Sequence, residues 1–443
     1  MKKMIQTLLL KSGWHDVYDR RSTDGRARSC LLATIVLQSV INGFSSGVFY
    51  SGLLVGYGIS LVNISIISII PNIASFFTLL TPYVLQRFPK RRTILTVTRI
   101  ISYAVNILGI TFLPMVVQSE TGRVIGIVII LLVSNVINSL FGGGYSPWHM
   151  HYLKPEIRND YFSSTTVISS AFSTVLMILI SLVVDSIEGQ YQLQMITLLR
   201  VLAFLIAMLD VYFMQKPKEP EYLTSVDTPR LTDIIRIPLK NKKFMMTELI
   251  FVIYMITGNM GGSVVVPWLL EDVKVGYFLM NLVGVTGIPI MLITTKLWNR
   301  LMQKRGTFVT LAIALFAEMP VYLTYAMLTE ENYSWLFWIH SILAQVFSLL
   351  LVFPTNNLIY VNLPKEDQLC YTSFHAILNT VGVTISITIG AALVAWMGDS
   401  QWSFFGHTMT SPSTLLLIKS VLWPMVAVFV LLIRKKVEPD EIR

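Results

Sequence analysis

Charge is scarce in this sequence: Asp, Glu, Lys and Arg make up only 13% of 443 residues, against roughly a quarter in soluble chains. That shortage excludes a soluble enzyme. Cysteine is scarcer still, since Cys30 and Cys370 are too few for a disulfide framework and both fall at the same expected cytoplasmic edge. Signatures of chemistry are also missing. No GxxxxGK phosphate loop, HExxH or HxxxxD acyltransferase pattern occurs, so ATP-driven pumping and these enzyme classes have no residues to rest on. Neither a cofactor nor a metal site is expected, and the chain reads as a non-enzyme.

What is present in excess is apolar surface. Residues of the AVILMFWYC set form 54% of the 443, about 239 residues, enough for roughly twelve membrane spans of about 20 residues each. Segments of that kind lie at about 30–55, 61–85, 93–115, 124–146, 164–185 and 191–214, then at about 245–268, 275–298, 307–328, 335–360, 371–396 and 413–433. They are numbered spans 1 to 12 below. The expected fold class is therefore all-α: a polytopic membrane protein of twelve transmembrane helices in two pseudo-symmetric six-helix bundles. The expected domains are an N-terminal segment 1–28, bundles 29–214 and 244–434, a linker 215–243 carrying Pro217, Pro220 and Pro229, and a tail 435–443. Ile5, Leu8, Leu9 and Trp14 give the first segment the pattern of a short interfacial helix.

The net charge of +9 does not point to nucleic acid, because the basic residues cluster in short loops beside apolar runs. Of 34 Lys and Arg, 29 fall on one side of the twelve-span topology, counting Lys296 at the inner end of span 8, only Arg123 and Lys274 on the other, and Arg99, Arg200 and Lys419 deeper within spans. The positive-inside rule then puts both termini in the cytoplasm, with the plasma membrane as the expected location. The expected partners are the lipid bilayer, a small-molecule solute and protons, and a monomer suffices.

The two halves repeat at a constant offset of 217: Asn42 in span 1 matches Asn259 in span 7, and Gln86-Arg87 after span 2 matches Gln303-Lys304 after span 8. Around the first pair, Asn42-Gly43-Phe44-Ser45-Ser46-Gly47 faces Gly258-Asn259-Met260-Gly261-Gly262-Ser263. Matching interruptions of two hydrophobic helices point to a transporter's solute site, while small-residue helix packing is the plainer alternative.

Twelve spans in two halves, a basic central loop and the run Gln86-Arg87-Phe88-Pro89-Lys90-Arg91-Arg92 together resemble the major facilitator superfamily, whose signature at this loop reads G-x-x-x-D-R-x-G-R-R. Arg87, Lys90 and Arg91 match in kind, whereas Pro82, Gln86 and Pro89 stand where the family usually has Gly, Asp and Gly. The resemblance implies alternating access, with spans 1, 4, 7 and 10 lining a central cavity and Arg87, Lys90 and Arg91 acting at the gate. Glu156 and Arg158, after span 4, are further gating candidates that could exchange partners between conformations.

Helices placed at the cavity by that resemblance are polar but nearly uncharged. Gln38 and Asn42 share a face of span 1, and Asn135 and Asn138 a face of span 4. Tyr254 and Asn259 sit on span 7, with His340 and Gln345 on span 10. Amides, hydroxyls and imidazoles both donate and accept hydrogen bonds, which suits a small neutral or zwitterionic solute. Proton coupling needs a titratable group, and the candidates are His340, Glu318, His375 and Glu248. Arg200 and Lys419 lie toward the ends of their spans and are expected to snorkel. The function so read is secondary or facilitative transport. The alternatives are proton-coupled efflux of amphipathic compounds, a polytopic membrane enzyme, and a non-transporting receptor.

Overall fold

A computed structural model describes residues 17–19, 21–88, 90–187, 189–219, 230–364 and 366–437. The N-terminal segment with Ile5 to Trp14 and the side chains of Glu156 and Arg158 lie outside what is described.

Ten helices among the described residues are long and apolar enough to cross a bilayer, which makes the chain an integral membrane protein. They cover spans 1 to 6 and 9 to 12. Spans 7 and 8 are present as shorter pieces, Lys242–Asn259 with Val265–Glu271 and Tyr277–Val285 with Gly287–Arg305. The reason is physical. Span 7 is interrupted by Met260 to Val264, and span 8 carries Lys296, Arg300, Lys304 and Arg305 in its second piece.

Capping explains where several helices start. The Ser22 hydroxyl accepts from the Gly25 N–H, that of Ser119 from Gly122, and the Asn241 carbonyl oxygen from Phe244, each satisfying one of the donors a helix start leaves free. Span 8 ends and span 9 begins at Gly306, whose φ of +75° lies in the region that favours glycine. Mid-helix apolar residues face outward on span 5, where Val167, Phe172, Val175 and Leu179 are all more than half exposed. Such a stripe needs lipid as its solvent.

The chain forms two compact units. Unit 1 comprises 1–59 and 74–227, and unit 2 comprises 60–73 and 228–443, so the first part of span 2 groups with unit 2. There Leu61 and Val62 pack on Met260, Val264 and Leu415. Unit 1 has a core of Leu31, Leu85, Leu95, Trp148, Tyr152 and Tyr161 at one end. Unit 2 is centred on spans 9 and 12, where Ala312, Ala314 and Ala427 are buried together with Leu311, Leu315 and Val430. Small side chains let those backbones approach closely. Between spans 11 and 12, β1 (Trp402–Phe404) and β2 (His407–Met409) form a hairpin turned by Phe405 and Gly406, both at positive φ.

Candidate functional site

Span 1 is not one helix. It runs as Thr23–Ser45, breaks at Ser46, which is extended, and at Gly47 with φ +63°, then resumes as Gly47–Gly56. Span 7 does the same three residues before the position that the 217 offset marks, with Met260 extended and Gly261 at φ +82°. Each break leaves carbonyls at the end of its first piece, where the helix dipole is negative.

A buried cation meets each of those ends. In unit 1 the Arg200 guanidinium of span 6, fully buried, donates to the Ser45 carbonyl at 2.7 Å, to Thr111 Oγ1 at 2.9 Å and to the Asn106 and Ile107 carbonyls at 3.2 and 3.4 Å. Residues Ala104–Gly109 of span 3 form a π-helical segment, a distortion that frees backbone carbonyls from the regular ladder. In unit 2, Lys419 Nζ of span 12 donates to the Gly258 carbonyl at 2.7 Å and lies 4.1 Å from the Tyr322 ring centroid. The expectation that both cations snorkel is thus corrected: each is buried, because a broken helix offers carbonyls nearer than the headgroups.

Between the span 1 break and spans 3 and 4, unit 1 contains a cavity of about 340 Å³. Gln38, Asn42, Asn135 and Asn138 all line it, together with Ser45, Ser102, Asn106 and Ser134. Their mutual bonds fix the wall: Asn106 Nδ2 donates to Ser134 Oγ at 3.2 Å, the Ser102 hydroxyl to the Ser134 carbonyl at 3.1 Å, and Asn135 Nδ2 to the Leu131 carbonyl at 2.8 Å. Asn42 and Asn138 remain exposed at the cavity surface.

One wall residue is charged. Arg99 of span 3 lines the cavity and donates from Nε at 2.8 Å and Nη2 at 2.6 Å to the same oxygen of Asp210, a fully buried carboxylate on span 6. The Tyr103 hydroxyl donates to that oxygen too, at 3.0 Å, and the Tyr145 ring centroid lies 4.7 Å from the guanidinium carbon. Sequence reasoning missed Arg99, Tyr103 and Asp210 as site residues. An intramembrane charge on span 3 was the available signal, outweighed because the resemblance lines the cavity with spans 1, 4, 7 and 10.

The unit 2 candidates each have local partners. Tyr254 packs on Trp423 and Phe251, with ring centroids 5.7 and 6.4 Å away. Asn259 Nδ2 donates back to the Met255 carbonyl at 3.0 Å. Gln345 lies so close to Gly287 that a Cβ there would meet its Oε1 at 2.5 Å. His340 is buried, its Nδ1 3.1 Å from the Val321 carbonyl and its ring stacked 3.8 Å from that of Tyr325. Glu318 is buried on span 9 within the field of Lys419. Two coupling candidates do meet: His375 Nδ1 lies 2.9 and 3.0 Å from the two carboxylate oxygens of Glu248.

At the basic loop, Arg87 and Lys90 are exposed. The backbone N–H groups of Arg91 and Arg92, at the start of the Arg92–Tyr103 helix, both donate to the Glu219 carboxylate, the latter at 2.8 Å. An acidic group therefore holds this helix start, although Gln86 stands where the family signature has Asp. Glu219→Gln should lower stability by about 0.5–2 kcal/mol, the usual range for a lost helix cap, read as a small drop in melting temperature in detergent. A shift as large as that of a buried-charge variant would contradict the capping role.

No protein-family model matches the sequence, and no curated protein matches it. Solved structures do. The nucleoside transporter NupG is 12% identical over 92–94% of this chain and 99% of its own, with a TM-score of 0.62 for one of its structures. A bacterial homologue of the iron transporter ferroportin in an inward-facing state is 14% identical, covering 91% of this chain and 98% of that one at a TM-score of 0.67. The xylose transporter XylE from E. coli, inward open, is 12% identical over 91% and 95% at 0.63. The likeness is one of fold alone, a major facilitator-like fold.

Proposed function

We propose that the protein is a secondary or facilitative transporter of a small polar solute, working by alternating access, and that the unit 1 cavity is part of its solute site. One observation carries this reading: four side chains singled out on two different spans, Gln38, Asn42, Asn135 and Asn138, line one cavity beside a broken helix. Its volume of about 340 Å³ falls at the lower end of the range for small-molecule pockets. The amide-rich wall offers hydrogen bonds of both senses, which supports a polar solute over an amphipathic drug. Reconstituted protein should move solute across vesicle membranes and leave it chemically unchanged. Conversion of the solute to a product would make the protein a membrane enzyme.

The Glu248–His375 contact favours a second reading, in which transport is coupled to protons. A carboxylate and an imidazole meet at 2.9 Å, and the Phe251 ring, centroid 4.0 Å away, covers the imidazole. Under this reading Glu248→Gln and His375→Gln each keep solute exchange but lose accumulation driven by a pH gradient. If both variants and the parent protein ignore the gradient alike, the facilitator reading replaces it. Tyr254, Asn259, His340 and Gln345 are proposed as solute contacts within unit 2, and Arg87, Lys90, Arg91, Glu156 and Arg158 as gating residues.

A further inference from the structure

We infer that the solute is a small organic acid whose carboxylate binds Arg99; this rests on the reading of the unit 1 cavity as the solute site. Arg99 has five N–H donors in a planar fork. Asp210 takes one from Nε and one from Nη2. Its remaining donors meet only neutral groups, the Tyr103 and Tyr145 hydroxyls, and the side chain keeps 12% exposure where it lines the cavity. A carboxylate that displaces such a hydroxyl finds a guanidinium edge with the spacing of its two oxygens. The group is also held still. Asp210 and Tyr103 fix one side and the Tyr145 ring lies against it, so little side-chain freedom remains to be lost on binding.

The charge balance points the same way. Asp210 neutralises Arg99, but Arg200 has no carboxylate within ion-pair distance among the described residues, being held by three carbonyls and a hydroxyl. Three of those four partners, Ser45, Asn106 and Ile107, line the cavity, which places the guanidinium directly behind the wall. Among the described residues, no Asp or Glu lines the cavity. The walls therefore carry one uncompensated positive charge in a medium of low polarity, where it acts far more strongly than in water. A single negative charge balances it. A phosphate dianion would overshoot, and a zwitterion's ammonium would find no anionic partner on these walls. Asn42, Asn138 and Gln38 then remain for the hydroxyl or amide groups of the acid.

The test uses the full chain with Cys30 and Cys370 replaced by Ser, and Ser46→Cys as a reporter at an exposed position of the cavity wall. Alkylation of that cysteine by N-ethylmaleimide is timed with lactate against lactamide and gluconate against gluconamide, and uptake of the same four compounds is measured in vesicles with the native Ser46. The carboxylates should slow alkylation at least fivefold and be taken up at least tenfold faster than their amides. Arg99→Lys, which keeps the charge but loses the fork, should reduce both effects. Asn138→Asp, which adds a negative charge at an exposed position, should abolish the preference for acids with an unchanged melting temperature. Equal protection and uptake by acids and amides would overturn the inference and leave the transporter reading standing. Protection without uptake of any probe would keep the acid site and overturn transport through it, and neither protection nor uptake would overturn both.

Discussion

Arg200→Leu is expected to be among the most destabilising single changes in unit 1, costing about 3–5 kcal/mol, because several buried acceptors lose their shared donor at once. Leucine replaces the apolar volume of the side chain but none of its donors. The carbonyls of Ser45, Asn106 and Ile107 lose the guanidinium that they share, and each buried acceptor left without a donor costs about 1–3 kcal/mol where relaxation cannot supply another. Relaxation is restricted here. One of those carbonyls ends the first piece of span 1, and two belong to the π-helical segment of span 3. Arg200→Lys should fall between the parent protein and the leucine variant, because an ammonium keeps the charge at the helix end but cannot reach four acceptors from one atom. Melting in detergent, monitored by tryptophan fluorescence, gives the order. If the leucine variant melts with the parent, the cation does not hold the break.

The second large effect concerns Arg99 and Asp210. Arg99→Met strands a carboxylate that is fully buried, and Asp210→Leu strands a guanidinium, so each single variant should lose about 3–5 kcal/mol. The double variant should be more stable than either. Removing both charges leaves no unpaired ion, and pairs of this kind replaced by apolar residues of similar volume are often neutral in stability. A double-mutant cycle reads the coupling directly. Binding should not follow stability: the double variant regains its fold while solute exchange stays lost, since the guanidinium edge is gone. Strictly additive losses would mean that the 2.6 Å contact contributes nothing to the fold.

How much of this the sequence announces depends on the range of the signal. Spans 1 to 6 and 9 to 12 are legible because hydropathy is a local property, summed over one helix length. The breaks in spans 1 and 7 are legible for a different reason. Asn42 to Gly47 and Gly258 to Ser263 repeat small and polar residues at the same offset, and the same backbone device appears at both places. Spans 7 and 8 are less continuous than their apolar content suggests, because Gly261 takes a positive φ and span 8 carries four basic residues in one piece.

The ionic network was not legible. Arg99 and Asp210 are 111 positions apart, and Arg200 and Ser45 are 155 apart, and no local pattern states which charge will meet which partner. Arg200 and Lys419 were recognisable as intramembrane charges but not as caps, since capping depends on where the break in another span falls in space. Gln38, Asn42, Asn135 and Asn138 came together because spacings of three and four fix a helix face before any tertiary contact is known. His340 shows the limit of that logic. A face rule cannot tell a cavity wall from a stack against Tyr325.

Counterflow in sealed vesicles is the sharpest test of solute movement through the unit 1 cavity. Vesicles carrying the purified protein are loaded with unlabelled solute, all ion gradients are collapsed, no ATP is added, and entry of labelled solute is followed. Transport through this cavity gives a transient accumulation of label that Asn42→Leu and Asn138→Leu each reduce at least tenfold with melting temperatures unchanged. Label entry that requires ATP, or that is as fast in both cavity variants as in the parent protein, would contradict it.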